Sequence, residues 1–162
     1  MNDWREVKLG DVVDIFDNKR IPLSNMERAK RQGIYPYYGA ASIMDYVDDY
    51  IFDGEYILFA EDGTVITDSG NPVLQYTKGK FWVNNHAHIL KAKDHICQKY
   101  LWYAFSNINI SGSITGAVQP KINQQALKAI EILLPSLEEQ GAIAGVLGAL
   151  DDKIEANRRQ NE

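Results

Sequence analysis

The sequence predicts an α+β domain with a mixed, largely antiparallel sheet and short helices, followed by a C-terminal projecting helix of the coiled-coil type. Short apolar runs separated by Asp-Gly and Ser-Gly pairs fill residues 49–77, which is typical of strands joined by tight turns. The apolar period becomes helical in residues 96–105 and again after residue 135. With 162 residues, 45% of them apolar, the chain is long enough for one hydrophobic core carrying a helical arm.

The N-terminal quarter predicts a short apolar segment and a polar loop. Residues 4–15 combine a strand or turn with an apolar patch that suits either a short helix or a strand. Residues 17–33 are polar and basic and contain Pro22, which indicates a loop with one helical turn starting at Ser24. The tyrosines around Pro36 are interpreted as half-buried packing residues, because tyrosine buries its ring and keeps its hydroxyl wet.

The middle of the chain predicts a series of short strands. Their sequences are DYIF, EYILFA, TVITDS, PVLQYT and FWVNNHAHIL. A helix is expected over residues 96–105, and a polar, glycine-rich loop follows over residues 111–122. Asn123 is a good N-cap for a second short helix, and the segment EILLP is expected to form the last strand.

The C-terminal helix is predicted to begin at Ser136, directly after Pro135. Ser136 is a good N-cap, and Glu139 three residues later completes a capping box. Residues then recur at alternating spacings of four and three to form a seam, whose last member is an asparagine that would fix the register of pairing. The seam consists of Ile143, Leu147, Leu150, Ile154 and Asn157. It requires a partner helix, and folding of this helix back onto its own domain is the alternative.

The length and the glycines of this helix lead to two further expectations. A helix from Ser136 to Glu162 would span about 40 Å, enough to hold two domains well apart. Three glycines lie roughly opposite the seam, where each costs about 1 kcal/mol relative to alanine. That cost predicts a close approach of the helix backbone to something else at Gly141, Gly145 and Gly148, with the chain's own globular part as one candidate.

The formal charge of −5 hides an uneven distribution along the chain. Residues 32–77 carry eight acidic and no basic side chains, whereas residues 78–130 carry seven basic side chains and one acidic. The basic groups concentrate in residues 19–31 and 78–128, and a face shared by these two blocks would attract a polyanion. Two separate solvated surfaces are the alternative.

Several classes of protein are excluded by what the sequence lacks. Cys97 is the only cysteine, which excludes a disulfide framework and a cysteine-based zinc site. No segment has the pattern of a signal peptide or of a membrane span, so a cytoplasmic protein without membrane contact is expected. The sequence contains no phosphate-binding loop, no dinucleotide fingerprint and no nucleophile elbow.

A metal-dependent hydrolase or nuclease is the enzymatic alternative. Glu61 and Asp62 would form its carboxylate pair, and His86 with His88 would place two imidazoles on one face of a strand. An Asp-Gly turn explains Asp62 without any chemistry, and no further ligand is evident, so no metal is expected. The enzyme would require Glu61, Asp62 and His86 to converge on one point.

Five segments of the chain are informative when they are taken together and in order. They are WREVKLGDVVDI, EYILFAEDGT, KGKFWVNNHAHIL, QKYLWYAF and GAVQPKINQQALKAIEILLPSLEEQGAIAGVLGALDDKI. Together they resemble one target-recognition domain and its following helix from the specificity subunit of type I restriction-modification enzymes. The resemblance is strongest over residues 124–154, where a short helix, a strand ending in LPSLEEQ and a long helix occur in the family's order.

The resemblance implies a DNA target-recognition domain in residues 1–134 and a spacer and dimerisation helix in residues 135–162. It implies contact with a half-site of double-stranded DNA, and neither catalytic activity nor a cofactor in this chain. It also implies a methyltransferase subunit and a restriction subunit as partners, which would use S-adenosylmethionine, ATP and Mg. A protein scaffold that touches no nucleic acid is the remaining alternative.

Polar side chains on the predicted loops are the candidate DNA contacts. Five are basic and are expected to contact mainly phosphate: Lys19, Arg20, Lys78, Lys80 and Lys121. Five others are candidates for base edges or for their support: Asn84, Asn85, His86, Thr115 and Gln119. Thr64 and Ser113 complete the predicted set.

The sequence departs from the layout that the resemblance implies in two respects. Specificity subunits commonly contain two recognition domains and two helices, whereas one of each is expected here, and the expected helix stops early, at Glu162. A half-subunit that dimerises and a piece of a longer chain both fit. In a homodimer the two half-sites would be inverted copies, because a twofold protein requires a twofold target.

Overall fold

The computed structural model describes residues 3–161, which form ten strands and five helices. The strands are β1 (Arg5–Lys8), β2 (Val13–Ile15), β3 (Gln32–Tyr38), β4 (Ile43–Val47), β5 (Phe52–Asp53), β6 (Tyr56–Ala60), β7 (Leu74–Thr77), β8 (Lys80–Val83), β9 (Ala87–Ala92) and β10 (Glu131–Leu134). The helices are α1 (Leu9–Val12), α2 (Asn25–Ala29), α3 (Gln98–Ser106), α4 (Gln124–Ala129) and α5 (Leu137–Gln160).

The strands form three sheets. One four-stranded sheet has the order β2-β9-β6-β7 and is antiparallel throughout. The other has the order β4-β3-β8-β5 and contains one parallel pair, β3 with β8. A two-stranded antiparallel sheet joins β1 to β10. The predicted class, a mixed and largely antiparallel α+β domain with a long C-terminal helix, is therefore confirmed.

The core lies on both faces of the antiparallel sheet, because successive residues of a strand point to opposite faces. In β6, Ile57 and Phe59 pack into a cluster with Phe105 of α3. Leu58, between them, packs into a second cluster with Phe81 of β8. All five of these side chains are fully buried. Helix α3 and the second sheet therefore cover opposite faces of one central sheet.

The polar segment before β3 covers the outer face of the second sheet. The Trp82 indole donates to the carbonyl of Ile21 at 2.7 Å, and the backbone N–H of Leu23 donates to the Tyr37 hydroxyl at 3.0 Å. The predicted helical turn starting at Ser24 is confirmed as α2, with a capping box at its start.

Three of the predicted strands are wrong in their extent, and the segment DYIF contributes only Phe52 to a strand, β5. TVITDS forms a loop with one isolated bridge, between Ile66 and Pro72, because proline has no N–H with which to extend a ladder. FWVNNHAHIL divides into β8 and β9, since the side-chain oxygen of Asn84 accepts the backbone N–H of His86 at 2.8 Å and closes a turn. His86 is therefore exposed in a turn while His88 is buried in a strand.

Helix α5 begins as predicted and packs on the domain over its first half. Ser136 and Glu139 form the capping box. The buried side chain of Gln140 accepts from the backbone N–H of Cys97 and donates to the carbonyl of Pro135, each at 2.9 Å. The helix of 24 residues reaches about 36 Å, and residues 152–160 are exposed. Glu162, part of the predicted helix, lies outside the described residues.

The seam of α5 is only partly covered by the domain. Ile143 packs against the core cluster, whereas the side chains of Leu150 and Ile154 are about half exposed, at 53% and 50%. The first half of the helix therefore folds against its own domain, and pairing of the exposed second half with a partner helix stays a prediction. Neither α5 nor any other helix within residues 3–161 has the length and apolarity that a membrane crossing requires.

A close approach of the helix glycines to the chain's own domain is absent, within the described residues, at two of the three positions. A β-carbon built on Gly141 or Gly145 would meet no atom of the described chain within 4 Å beyond the helix itself. At Gly148 the hydroxyl oxygen of Tyr103 lies 3.9 Å from that position, and the same hydroxyl donates to Asp151 at 2.5 Å. The domain therefore contacts the side of α5 that carries Gln140 and Asp151, which is adjacent to the side that carries the three glycines.

Candidate nucleic-acid interface

Three loops from distant parts of the sequence meet at one end of the central sheet. The backbone N–H of Glu61 donates to the carbonyl of His86 at 2.9 Å, and that of Ile122 donates to the carbonyl of Glu61 at 3.1 Å. Gly63 donates to the carbonyl of Pro120 at 3.2 Å. These bonds join residues 61–67, 84–86 and 113–121, which are called the loop surface below.

The loop surface gathers most of the predicted contact residues. Six of them are exposed there: Thr64, Asn85, His86, Thr115, Gln119 and Lys121. Ser113 is half-buried, and Asn84 is buried because its side chain closes the turn before His86. Asn84 is thus placed to support the turn rather than to reach outward.

Two features of the loop surface were not predicted from the sequence. The imidazole of His86 lies 2.8 Å from a carboxylate oxygen of Asp62, so the ring is oriented while 48% of the side chain stays exposed. Val118, at the tip of the third loop, is fully exposed. The sequence signal for Val118 is an apolar residue within a glycine-rich polar loop, but that pattern alone does not separate an exposed valine from a buried one.

The remaining predicted lysines lie elsewhere. Lys78 and Lys80 flank the β7–β8 turn, at the opposite end of β8 from Asn84. Lys78 pairs with Glu55 at 3.5 Å, and the ammonium of Lys80 lies 4.7 Å from the ring centre of Tyr50. Lys19 similarly lies over the ring of Phe16, at 5.3 Å. Apart from Arg20, the predicted DNA contacts therefore divide into residues of the loop surface and exposed lysines outside it.

The first basic block does not form a continuous cationic surface. Three arginines of residues 19–31 pair with carboxylates of the acidic segment 32–77. The pairs are Arg20 with Glu61, Arg28 with Asp45 at 3.2 Å, and Arg31 with Asp48 at 3.0 Å. Their side chains are only 17%, 11% and 32% exposed. Three of the five basic side chains in this block are therefore neutralised by carboxylates of the acidic segment.

A buried polar network lies beneath the loop surface. The carboxylate of Asp17 accepts from the backbone N–H of Ile89 at 2.9 Å and from the Gln124 amide at 2.8 Å. It also lies 2.6 Å from Nδ1 of His88, whose Nε2 is 2.8 Å from the carbonyl of Ile122. Sequence reasoning missed Asp17 and Gln124 as network members, because nothing local distinguishes them from other polar residues.

The geometry indicates that His88 is an imidazolium. Both ring nitrogens face oxygen acceptors, so both must carry hydrogen to be satisfied. Burial by itself lowers the pKa of His88, but the hydrogen bonds to Asp17 and Ile122 and the nearby carboxylates outweigh it and raise the pKa above 6.5. Burial likewise raises the pKa of Asp17, yet the bonds from His88, Ile89 and Gln124 hold it below 3.8.

These shifts predict a pH-dependent stability. The raised pKa of His88 contributes stability that is fully present below pH 6.5 and is lost as the pH rises through the folded-state pKa. The lowered pKa of Asp17 contributes stability that is present above pH 3.8 and is lost as the pH falls through the folded-state pKa. Between the two His88 pKa values the free energy of unfolding should fall by about 1.4 kcal/mol per pH unit. Urea unfolding from pH 5.5 to 9 measures it.

The matched substitutions for this pH dependence are His88→Gln and His86→Gln. His88→Gln should flatten the decline above pH 6.5, whereas His86→Gln, in the exposed turn, should keep it. An unchanged slope in His88→Gln would show that another group is responsible.

The residues proposed for the enzymatic alternative do not converge. The carboxylate of Glu61 pairs with Arg20, whereas His86 pairs with Asp62. A different trio, Asp17, Glu61 and His88, brings oxygen and nitrogen atoms within 4.8 Å of one another. Both nitrogens of His88 are engaged and a guanidinium sits beside Glu61, so this trio is arranged as an ion-pair network rather than as a set of metal ligands.

The chain matches known proteins over nearly its whole length. The family model described as the type I restriction modification DNA specificity domain matches residues 1–162. A putative type I restriction enzyme specificity subunit of Haemophilus influenzae is 35% identical over 148 residues, 91% of this chain and 37% of that protein. The EcoprrI specificity subunit of Escherichia coli is 27% identical over 144 residues, 88% of this chain and 35% of that protein.

Solved structures show the same fold. A type I restriction-modification S subunit from M. genitalium aligns with a TM-score of 0.77 and 21% identity, covering 96% of this chain and 41% of that one. The HsdS subunit of Thermoanaerobacter tengcongensis aligns with a TM-score of 0.59 and 18% identity, covering 98% and 40%. The chain thus spans between 35% and 41% of the length of these four proteins. By the match to the family model over residues 1–162 and by its sequence identity to these relatives, it belongs to the type I restriction-modification DNA specificity family.

Proposed function

We propose that this domain reads a short half-site of double-stranded DNA through the loop surface. In this proposal the chain is the non-catalytic recognition part of a type I restriction-modification complex. Methyltransferase and restriction subunits dock on it and supply the chemistry, with S-adenosylmethionine, ATP and Mg bound to those subunits. Membership of the specificity family supports the assignment of the complex.

The observation that carries the proposal is the convergence of exposed donors and acceptors from three loops. Asn85 offers an amide, which suits an adenine edge, and Lys121 offers a cation, which suits guanine or phosphate. Val118 offers an exposed apolar side chain, which suits a thymine methyl group. These groups differ in what they can recognise, as a surface that distinguishes bases requires.

The separate lysines are assigned to the phosphate backbone. Lys19, Lys80 and the exposed Lys91 each lie over an aromatic ring, and Lys78 is 68% exposed beside Glu55. An ammonium group in such a position stays available to a phosphate oxygen while its stem is packed. Phosphate contacts position the protein on the duplex and carry no direct sequence information.

The seam of α5 is assigned to pairing with a second helix. An apolar depression of about 350 Å³ lies along the helix beside this seam, lined by Ala142, Ile143, Val146 and Leu147. Burying Leu150 and Ile154, each half exposed, would stabilise such a pair, with the exposed Asn157 setting its register. The second helix comes from a second copy of the chain or from a longer protein of the kind that this chain matches in part.

The test is selection of duplexes from a randomised pool by the full-length protein assembled with its cognate methyltransferase subunit. Asn85→Ala should relax one position of the selected sequence and cost about 1 to 3 kcal/mol at that position only. The exposed Asn161 at the end of α5 is the matched control, and Asn161→Ala should leave the selected sequence unchanged.

Salt titration separates the two kinds of contact. Lys78→Ala should weaken all duplexes alike and flatten the dependence of log K on log salt by about one unit. Lys153→Ala, which removes an exposed lysine of α5, is the matched control and should leave the slope unchanged. A pool from which wild-type protein selects no sequence would overturn the proposed function.

A further inference from the structure

Arg20 holds together the loops that carry the proposed base contacts. Its Nη1 donates to the carboxylate of Glu61, to the carbonyl of Ala87 at 3.1 Å and to the carbonyl of Asn85 at 3.3 Å. Its Nε donates to the carbonyl of Asp17 at 3.0 Å. One guanidinium therefore joins the turn after β2, the loop after β6 and the β8–β9 turn.

The bonds of Glu61 carry this connection to the third loop. The backbone of Glu61 accepts from Ile122 and donates to His86, so Glu61 contacts both of the other loops through its main chain while its side chain contacts Arg20. Moving the Glu61 carboxylate would thus shift three loops with respect to one another. The planar fork of arginine suits this position, because lysine has no rigid set of donors to reach all these acceptors.

The buried network fixes Arg20 from below. Asp17 supplies a carbonyl to Arg20 and a buried carboxylate to His88 and Gln124. Because each member is held by several partners, the guanidinium has one favoured position. The side chain of Arg20 is 17% exposed, so little of it is available to a phosphate.

We infer that Arg20 is a positioning residue for sequence recognition, which sets the spacing of the base-reading loops instead of contacting DNA. This inference rests on the proposed function. It replaces the sequence-based prediction of Arg20 as a phosphate contact. It also assigns a role to Glu61, which would otherwise repel a polyanion from the site that it borders.

The two roles give opposite results for Glu61→Gln. If Arg20 and Glu61 position the loops, Arg20→Gln and Glu61→Gln should each lower the preference for the selected duplex over a scrambled one by about tenfold, as for one lost bidentate base contact. If Arg20 contacts phosphate, Arg20→Gln should weaken both duplexes alike and flatten the salt slope by about one unit, and Glu61→Gln should keep the preference.

The experiment measures both affinities and the salt slope for the full-length protein with its methyltransferase subunit, at a temperature well below thermal unfolding of each variant. Arg31→Gln removes a similar arginine and carboxylate pair away from the loops and should keep the preference. Arg20→Lys retains the positive charge but should still lose part of the preference for the selected duplex. If Arg20→Gln and Glu61→Gln both keep the preference for the selected duplex, this inference is overturned and the proposed function stands. If the wild-type protein itself shows no preference, the proposed function is overturned.

Discussion

Asp17→Ala is expected to lower the free energy of unfolding by about 3 to 5 kcal/mol, measured by urea denaturation at pH 6. The substitution leaves the His88 imidazolium without its buried partner and removes the acceptor of Gln124 and of the Ile89 backbone. An unpaired buried charge at His88 and a buried Ile89 N–H without its acceptor together make this one of the costliest changes available outside the apolar core.

Two other substitutions calibrate this result. Asp14→Ala removes an exposed carboxylate from the neighbouring strand β2 and should change the stability by no more than about 0.5 kcal/mol. Asp17→Asn keeps an oxygen acceptor for Ile89 but loses the charge, so its loss of unfolding free energy should lie between those of Asp14→Ala and Asp17→Ala. A loss of less than about 1 kcal/mol in Asp17→Ala would contradict a buried ion pair between Asp17 and His88.

The double substitution Leu150→Asp with Ile154→Asp is expected to abolish pairing through α5. Fully burying a leucine or isoleucine contributes about 1.5 to 3 kcal/mol, and both side chains are half exposed in the single chain. Loss of both contributions should raise the dissociation constant about a hundredfold or more. Sedimentation velocity over a concentration series measures the change.

A matched pair of substitutions lies on the opposite side of the same helix. Ala149→Asp with Ala156→Asp adds the same two charges at exposed positions away from the seam and should preserve association. Wild-type protein that sediments as a monomer at every concentration would contradict self-pairing of this helix. Equal loss in both double variants would indicate a general charge effect.

The features that could be predicted from the sequence are those that local contacts determine. The capping boxes at Ser24 and Ser136 and the N-cap at Asn123 each depend on residues three positions apart, and all three are present. The Asp17 contacts to His88 and Gln124 join residues 71 and 107 positions apart, and no local pattern announces them. Arg20 and Glu61 are 41 positions apart, and no local pattern indicates their contact either.

The candidate site shows the same division. Loops rich in glycine and polar residues indicated which side chains are exposed, and the loop surface gathers six exposed members of the predicted set. The basic residues 19–31 gave a misleading indication of a cationic surface, because the order of charges along a sequence does not show which carboxylate lies opposite each arginine. Only the folded chain places Asp45 and Asp48 against Arg28 and Arg31.

The pairing of β1 with β10 has a consequence for how such a unit is exchanged between proteins. Arg5 lies opposite Leu134 and Lys8 opposite Glu131, so the first and last strands of the domain lie side by side close to the start of α5. A module whose two connections are adjacent can be transplanted into a host without separating the host's own segments. Under the proposed function, exchange of this domain on an unchanged α5 would alter the DNA preference and keep the pairing of the helix.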